Sequence, residues 1–127
     1  MIGLEISSAS RVGCVREQNE DMILVDNHFV RNDDYHTLLT LNHEDRYIIA
    51  VADGMGGHNR GDVASSDTLH NLQYYYHDIP LGLNAGDFNE AIVGWLELSI
   101  TKIFSFFRIS IAGSLSGNLN GMVVLVT

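Results

Sequence analysis

The sequence predicts an α+β fold, because strand-like patterns fill its first part and helix-like patterns follow. Residues 1–53 contain several short β-leaning runs, whereas residues 61–78 and 87–111 carry apolar side chains three and four positions apart. A final β-leaning run covers residues 122–127. Strands grouped before helices are typical of α+β folds. The 127 residues, 46% of them apolar, suffice for one domain with its own core.

The strand region is divided by turn-forming residues. Residues 1–15 alternate roughly between apolar and polar and predict one or two strands. Residues 22–30 predict a strand with a turn near Asp26, and Tyr35–Leu41 predicts another, with polar turns on either side. Tyr47–Ala52 is a continuous apolar run, which is typical of a short strand buried on both faces.

Two helices are predicted after the strands. The first begins near Asp62 and ends before Pro80, which cannot continue a helix. The second is predicted to start with a capping box, in which Asp87 accepts from the backbone of Glu90, and to continue to Ile111. Its apolar residues lie on nearly every face, so we expect burial on more than one side or packing against another chain.

The charge balance excludes some classes of partner. The chain has a formal net charge of −9 and only seven Lys and Arg residues, so nucleic acid and anionic membrane surfaces are not expected partners. The apolar segment 91–112 is interrupted by Glu97, Lys102 and Arg108, which favours a soluble helix over a membrane span. With one cysteine, Cys14, and no signal-peptide pattern at the N-terminus, we expect a cytoplasmic protein.

A cluster of acidic residues predicts a metal site. Asp53 directly follows the buried strand, and three of the next four residues are glycine, beginning with Gly54. Glu20 and Asp21 stand beside another predicted strand, and the three carboxylates are hard ligands suited to magnesium, manganese or calcium. Glycines at 54, 56 and 57 let backbone approach an ion or a phosphate and permit positive φ. The alternative is a tight turn with a surface Asp.

Two motifs resemble the N-terminal signature of the type 2C, metal-dependent protein serine/threonine phosphatases. The first is Arg-x-x-Asn-Glu-Asp, from Arg16 to Asp21, and the second is the Asp-Gly-Met-Gly-Gly-His segment that begins at Asp53. The resemblance implies an αββα sandwich, antiparallel sheets flanked by helices, and a phosphoserine or phosphothreonine protein as substrate. It also implies magnesium or manganese as cofactor, with two ions in the family.

The resemblance also implies roles for individual residues. Arg16 would bind the substrate phosphate, Glu20 and the Gly54 carbonyl would hold one metal, and Asp53 would bridge two metals. Asp21 would contact metal-bound water. In the family a water held between the ions attacks phosphorus, while the metals and the arginine offset the phosphoryl charge.

His58 is a candidate acid for the leaving oxygen, although Met55 stands where eukaryotic relatives carry their histidine, so this role does not follow from the resemblance. A non-catalytic His58 is the alternative. Asp62-Val63-Ala64-Ser65 is similar to the start of the family's first long helix and is predicted to be structural. Cys14 lacks an evident base and is predicted to be a small buried residue.

The resemblance extends from about residue 8 to residue 126 and covers only the N-terminal half of the family domain. Two further metal-binding aspartates of the family have no counterpart in this chain. We therefore expect a truncated domain, completed by a C-terminal half or by formation of a homodimer. Two rival functions stay open: a non-catalytic phosphatase-like module that binds metal or partners, and a calcium- or magnesium-stabilised domain without phosphate chemistry.

Overall fold

The computed structural model describes residues 2–42, 46–54, 60–80, 82–103, 109–111 and 120–126. These residues form an α+β fold with two sheets and two helices, as predicted, and the arrangement is consistent with part of an αββα sandwich. The strands are β1 (Ile2–Ser10), β2 (Met22–Val25), β3 (His28–Val30), β4 (Asp33–Leu41), β5 (Arg46–Ala52), β6 (Ile109–Ile111) and β7 (Asn120–Val126). The helices are α1 (Gly61–Tyr76) and α2 (Ala85–Ile103).

The strands form one small sheet and one larger sheet. β1 pairs with β4 in antiparallel register, from Ile2 opposite Leu41 to Ser10 opposite Asp33. The larger sheet has the order β3-β2-β5-β7-β6. Its pairings are antiparallel except β5 with β7, which is parallel. A parallel pair needs a long crossover connection, and here α1 and α2 lie between the two strands along the chain.

Both helices contribute to a core on one face of the larger sheet. Buried side chains of α1 recur with helical spacing at Leu69, Leu72 and Tyr76, and α2 contributes Ile92 and Trp95. The sheet contributes Met22, Leu24, Ile48, Ala50 and Ala52. Burial of a leucine side chain stabilises a fold by roughly 1.5–3 kcal/mol, so this core fixes α1 firmly against β2 and β5. The first turn of α1 is thereby held beside the end of β5.

The predicted continuation of the second helix to Ile111 is wrong. α2 ends at Ile103, and Ile109–Ile111 is a strand that pairs antiparallel with β7. The physical reason lies in the sequence Ile-Ser-Ile, in which β-branched residues alternate with a polar one and fit a pleated strand better than a helix. The expectation that this helix is buried on more than one side or packs against another chain concerns side chains that lie largely outside the described part of the chain.

The start of α2 also differs from the prediction. Asn84, not Asp87, is the capping residue: its Oδ1 accepts from the backbone N–H of Asp87 at 2.9 Å, and its Nδ2 donates to Asp87 Oδ2 at 2.9 Å. The capping pattern is therefore shifted three residues towards the N-terminus. Asn and Asp serve equally well at this position, so residue type alone could not fix the register.

In the N-terminal region the prediction of one or two strands over residues 1–15 is confirmed by a single strand, whereas the prediction for Cys14 is wrong. β1 runs without a break to Ser10, and no strand forms over Val12 and Cys14, where the chain is irregular and exposed. Cys14 is exposed rather than buried, because it lies in this segment outside the sheet. Among the described residues, no helix is long and apolar enough to cross a membrane.

Candidate functional site

A pocket of about 220 Å³ lies beside the end of β5, next to the irregular segment between β1 and β2. Three carboxylates and two guanidinium groups line it together with neutral residues of the same segment. The lining residues are Arg11, Val12, Gly13, Arg16, Gln18, Asn19, Glu20, Asp21 and Asp53. The fold thus brings Asp53 next to a segment more than thirty residues earlier in the chain. That segment contains Arg16, Glu20 and Asp21, so the four residues predicted as a site lie together.

Asn19 anchors the segment that carries the first two carboxylates. Its side chain is buried, and its Nδ2 donates to Ser10 Oγ at the end of β1 over 2.8 Å. Its Oδ1 accepts from the backbone N–H of Asp21 at 3.1 Å. Asn19 therefore ties the chain next to Glu20 to the small sheet, which restricts where the Glu20 and Asp21 side chains can lie.

Gly54 and Gly61 pack so closely against Glu20 that neither position has room for a side chain. A Cβ at Gly54 would lie 2.5 Å from the Glu20 carbonyl oxygen and 2.7 Å from the Gly61 carbonyl oxygen. A Cβ at Gly61 would lie 2.6 Å from the Gly54 carbonyl oxygen and 2.9 Å from Glu20 Cδ. Gly54 does not have a positive φ, so close approach rather than backbone conformation requires glycine there. Gly56 and Gly57 lie outside the described residues.

Arg16 forms an ion pair with Glu20, which lies four residues further along the irregular segment. Its Nη1 donates to Glu20 Oε2, and the Glu20 side chain is only 17% exposed whereas that of Arg16 is 54% exposed. The half-exposed Arg16 lines the pocket and at the same time balances the charge of a largely covered carboxylate. In a chain with a net charge of −9, this places a cation where an anion could enter.

Asp53 and Asp21 form a pair of interacting acids. Burial raises the pKa of Asp53 above its ordinary value of 3.8, and a hydrogen bond with Asp21 and the negative charges of Asp21 and Glu20 raise it further. The positive charge of Arg16 acts in the opposite direction. Asp21 also accepts from the Gly54 backbone N–H, with 3.3 Å between Gly54 N and Asp21 Oδ1. Such crowding of carboxylates marks a place where a cation would be bound favourably.

The donor chemistry of Glu20, Asp21 and Asp53 fits a hard cation such as Mg²⁺ or Mn²⁺. Within the described ranges, however, no group of three or more His, Cys, Asp or Glu side chains is already arranged to hold a metal ion. These three side chains would therefore have to draw together around an ion. Gly54, whose carbonyl is predicted as a further ligand, packs against Glu20. His58 lies outside the described residues.

Two residues that the sequence did not single out for the site connect it to α1. Arg31, predicted only as part of a turn, donates from Nε to the Asp21 carbonyl at 3.0 Å and from Nη2 to the Asp62 carbonyl at 2.8 Å. The same Nη2 donates to the hydroxyl of Ser65, which is fully buried. An arginine that follows a strand carries no sequence signal for this role. The buried Ser65 lies within the motif at the helix start, which was the available clue.

Comparison with known proteins adds one relationship. Over 100 residues, 79% of its length, the chain is 31% identical to the protein phosphatase PhpP of Streptococcus pneumoniae. The chain is similar to a protein phosphatase. It spans 35% of the length of that relative. No family model matches the chain, and no solved structure matches it.

Proposed function

We propose that this chain carries part of the active centre of a metal-dependent protein serine/threonine phosphatase of type 2C. The observation that carries the proposal is the pocket in which Arg16 lies with Glu20, Asp21 and Asp53. A guanidinium next to clustered carboxylates can recognise a phosphate ester only if a cation also offsets the carboxylate charge. The similarity to a protein phosphatase over 79% of the chain supports the same conclusion.

In this proposal each residue has a distinct task. Arg16 binds the phosphate of a phosphoserine or phosphothreonine side chain, since its guanidinium can form two parallel hydrogen bonds to phosphate oxygens. Glu20, Asp21 and Asp53, with the carbonyl of Gly54, hold magnesium or manganese. When bound, the metal offsets phosphoryl charge and activates the attacking water. His58 is a further candidate for the acid that protonates the leaving oxygen.

The ion pair between Arg16 and Glu20 serves both tasks. It keeps the guanidinium at the wall of the pocket, where the Arg16 side chain is 54% exposed to solvent. A cation that binds Glu20 competes for the same carboxylate and leaves more of the Arg16 donors available for phosphate oxygens. Metal and phosphate should therefore bind with positive coupling.

The test is hydrolysis of p-nitrophenyl phosphate with added MnCl₂, measured for the wild-type chain, Asp53→Asn and Asp78→Asn. Asp78 is exposed and follows α1, so its substitution is a matched control for charge and chemistry. We expect manganese-dependent turnover that falls at least about 100-fold in Asp53→Asn and stays unchanged in Asp78→Asn. Calorimetric titration with MnCl₂ should show weaker binding by Asp53→Asn. A wild-type chain that neither turns over substrate nor binds manganese contradicts the proposal.

A second function is favoured by one observation, namely that the described carboxylates are not arranged as a complete metal site. In this alternative the chain is a phosphatase-like module that binds at most one ion and serves as a metal-binding or interaction module. Manganese binding without turnover supports this alternative. A second copy of the chain could supply the missing ligands, and a dimeric mass by light scattering at micromolar concentration would then accompany any turnover.

A further inference from the structure

The guanidinium of Arg31 joins two separate parts of the pocket's framework. From the turn after β3, its Nε donates to the carbonyl oxygen of Asp21, 3.0 Å away, and its Nη2 donates to the carbonyl oxygen of Asp62, 2.8 Å away. Asp21 belongs to residues 19–21 before β2, called the acidic segment below, whereas Asp62 belongs to the first turn of α1. One rigid, planar group therefore sets the distance between these two segments.

Ser65 makes the same connection from the helix side. Its hydroxyl is fully buried, accepts from Arg31 Nη2, and donates to the carbonyl oxygen of Glu20 over 2.5 Å. The Asp62 carbonyl lies 3.1 Å from the same hydroxyl. The core holds α1 against the sheet, so Ser65 has a fixed position. Its hydrogen bond therefore restricts the position of the Glu20 backbone.

We propose that Arg31 and Ser65 are positioning residues that fix the backbone of Glu20 and Asp21 for cation binding. The inference rests on the proposed function and deepens it, because it names the residues that hold the cation ligands in place. Neither side chain is among the residues that line the pocket, so both act through Glu20 and Asp21. Outer groups that orient metal ligands typically change metal affinity by 10- to 100-fold.

A merely structural role would have a different consequence. If Arg31 and Ser65 only stabilised the fold, their loss would loosen the whole chain, including the hydrogen bonds in the middle of α1. If they position the site, their loss should loosen the amides of Asp21 and Gly54 first. Both of these N–H groups bond to the acidic segment, the first to Asn19 Oδ1 and the second to Asp21 Oδ1.

The experiment compares Ser65→Ala with Ser66→Ala, its neighbour in the sequence. Ser66 lies on the same turn of α1, and its hydroxyl hydrogen-bonds within the helix to His70 Nδ1 at 3.4 Å rather than to Glu20. Amide hydrogen exchange is measured by NMR on the metal-free chain, followed by calorimetric titration with MnCl₂. We expect exchange at Asp21 and Gly54 to accelerate about five- to thirty-fold in Ser65→Ala, with Leu72 unchanged and Ser66→Ala within about twofold of wild type.

Arg31→Lys and Arg31→Gln form a second pair, which decides the question if Ser65→Ala does not fold. Lysine keeps the positive charge but cannot present the planar fork, so both variants should accelerate exchange at Asp21 and Gly54. Manganese affinity should fall about 10- to 100-fold in each variant that affects exchange.

The inference is overturned by unchanged exchange at Asp21 and Gly54, or by equal acceleration at Leu72, which would indicate general loosening. Full rescue by Arg31→Lys also overturns it, because charge rather than geometry would then suffice. If the wild-type chain binds no manganese, the proposed function fails by itself, and the exchange rates still decide whether Arg31 and Ser65 hold the acidic segment.

Discussion

The substitution Gly54→Ala tests the packing on which the site depends. A methyl group at this position would meet the Glu20 carbonyl oxygen at 2.5 Å, the Gly61 carbonyl oxygen at 2.7 Å and Glu20 Cβ at 2.8 Å. Two of these three atoms belong to backbone, which cannot swing aside as a flexible side chain could. Asn19 and Ser65 hold that backbone through hydrogen bonds, so it has little freedom to yield.

The expected magnitude follows from these distances. To reach an ordinary contact of 3.4 Å, the Glu20 carbonyl oxygen would have to move by about 0.9 Å. Overpacking of this kind typically costs about 1–3 kcal/mol, and the reduced freedom of the unfolded chain offsets about 0.4–1 kcal/mol of it. We therefore expect a net loss of about 1–2 kcal/mol in the free energy of unfolding. Glu20 should also be displaced, with weaker manganese binding as a result.

Urea unfolding followed by tryptophan fluorescence measures this loss, because the chain has one tryptophan and Trp95 is buried in the core. With a slope of about 1–2 kcal/mol/M, the unfolding midpoint should fall by roughly 1 M in Gly54→Ala. Gly13→Ala is the matched control, because Gly13 lines the same pocket. A Cβ at Gly13 would have no neighbouring atom within 4 Å. The midpoint of Gly13→Ala should stay the same or rise slightly.

An unfolding midpoint and a manganese affinity that are both unchanged in Gly54→Ala would refute the reasoning. They would mean that the Glu20 backbone can yield without loss, so that glycine is not required at this position for packing. If the unfolding midpoint falls equally in Gly13→Ala, the loss in Gly54→Ala would be a general effect of removing a glycine and not a result of contact with Glu20.

Two further predictions concern stability. Because burial and its acidic neighbours raise the pKa of Asp53, the folded chain holds the Asp53 proton more tightly than the unfolded chain, and ionisation at neutral pH opposes folding. Asp53→Asn should therefore raise the urea midpoint of the metal-free chain at pH 7. This gain should disappear as the pH falls below the raised pKa of Asp53 towards 3.8. A gain that persists in acid would argue against ionisation of Asp53 as its cause. Asn84→Ala should lower the free energy of unfolding by about 1 kcal/mol, because the α2 cap is lost. Asn89 is exposed and lies inside the same helix, so Asn89→Ala should change the free energy of unfolding by only a few tenths of a kcal/mol. Equal effects of the two asparagine substitutions in urea unfolding would show that Asn84 does not cap the helix.

Much of the fold could be predicted from local patterns. The continuous apolar run Tyr47–Ala52 indicated the central strand, and the spacing of Leu69 and Leu72 indicated the first helix. The errors occurred where local signals are ambiguous. Apolar residues near Ile109 suit either a helix or a strand, and pairing with β7 decided for the strand. Asn84 and Asp87 are both good caps, so only the backbone could show which one begins α2.

The sequence by itself determined which side-chain types are available for a site. The carboxylates of Glu20, Asp21 and Asp53 predict a site for a hard cation, because the side chains define the charge and the donor atoms. Binding of phosphate by Arg16 is a prediction from the resemblance to the type 2C phosphatases.

Only the tertiary structure decided how these groups are held. The close packing of Gly54 and Gly61 against Glu20, and the bonds from Arg31 and Ser65 to the acidic segment, join residues that are distant along the chain. Such contacts depend on the position of the end of β5 relative to α1. The core between the sheet and the helices sets this position. No local pattern in the sequence encodes it.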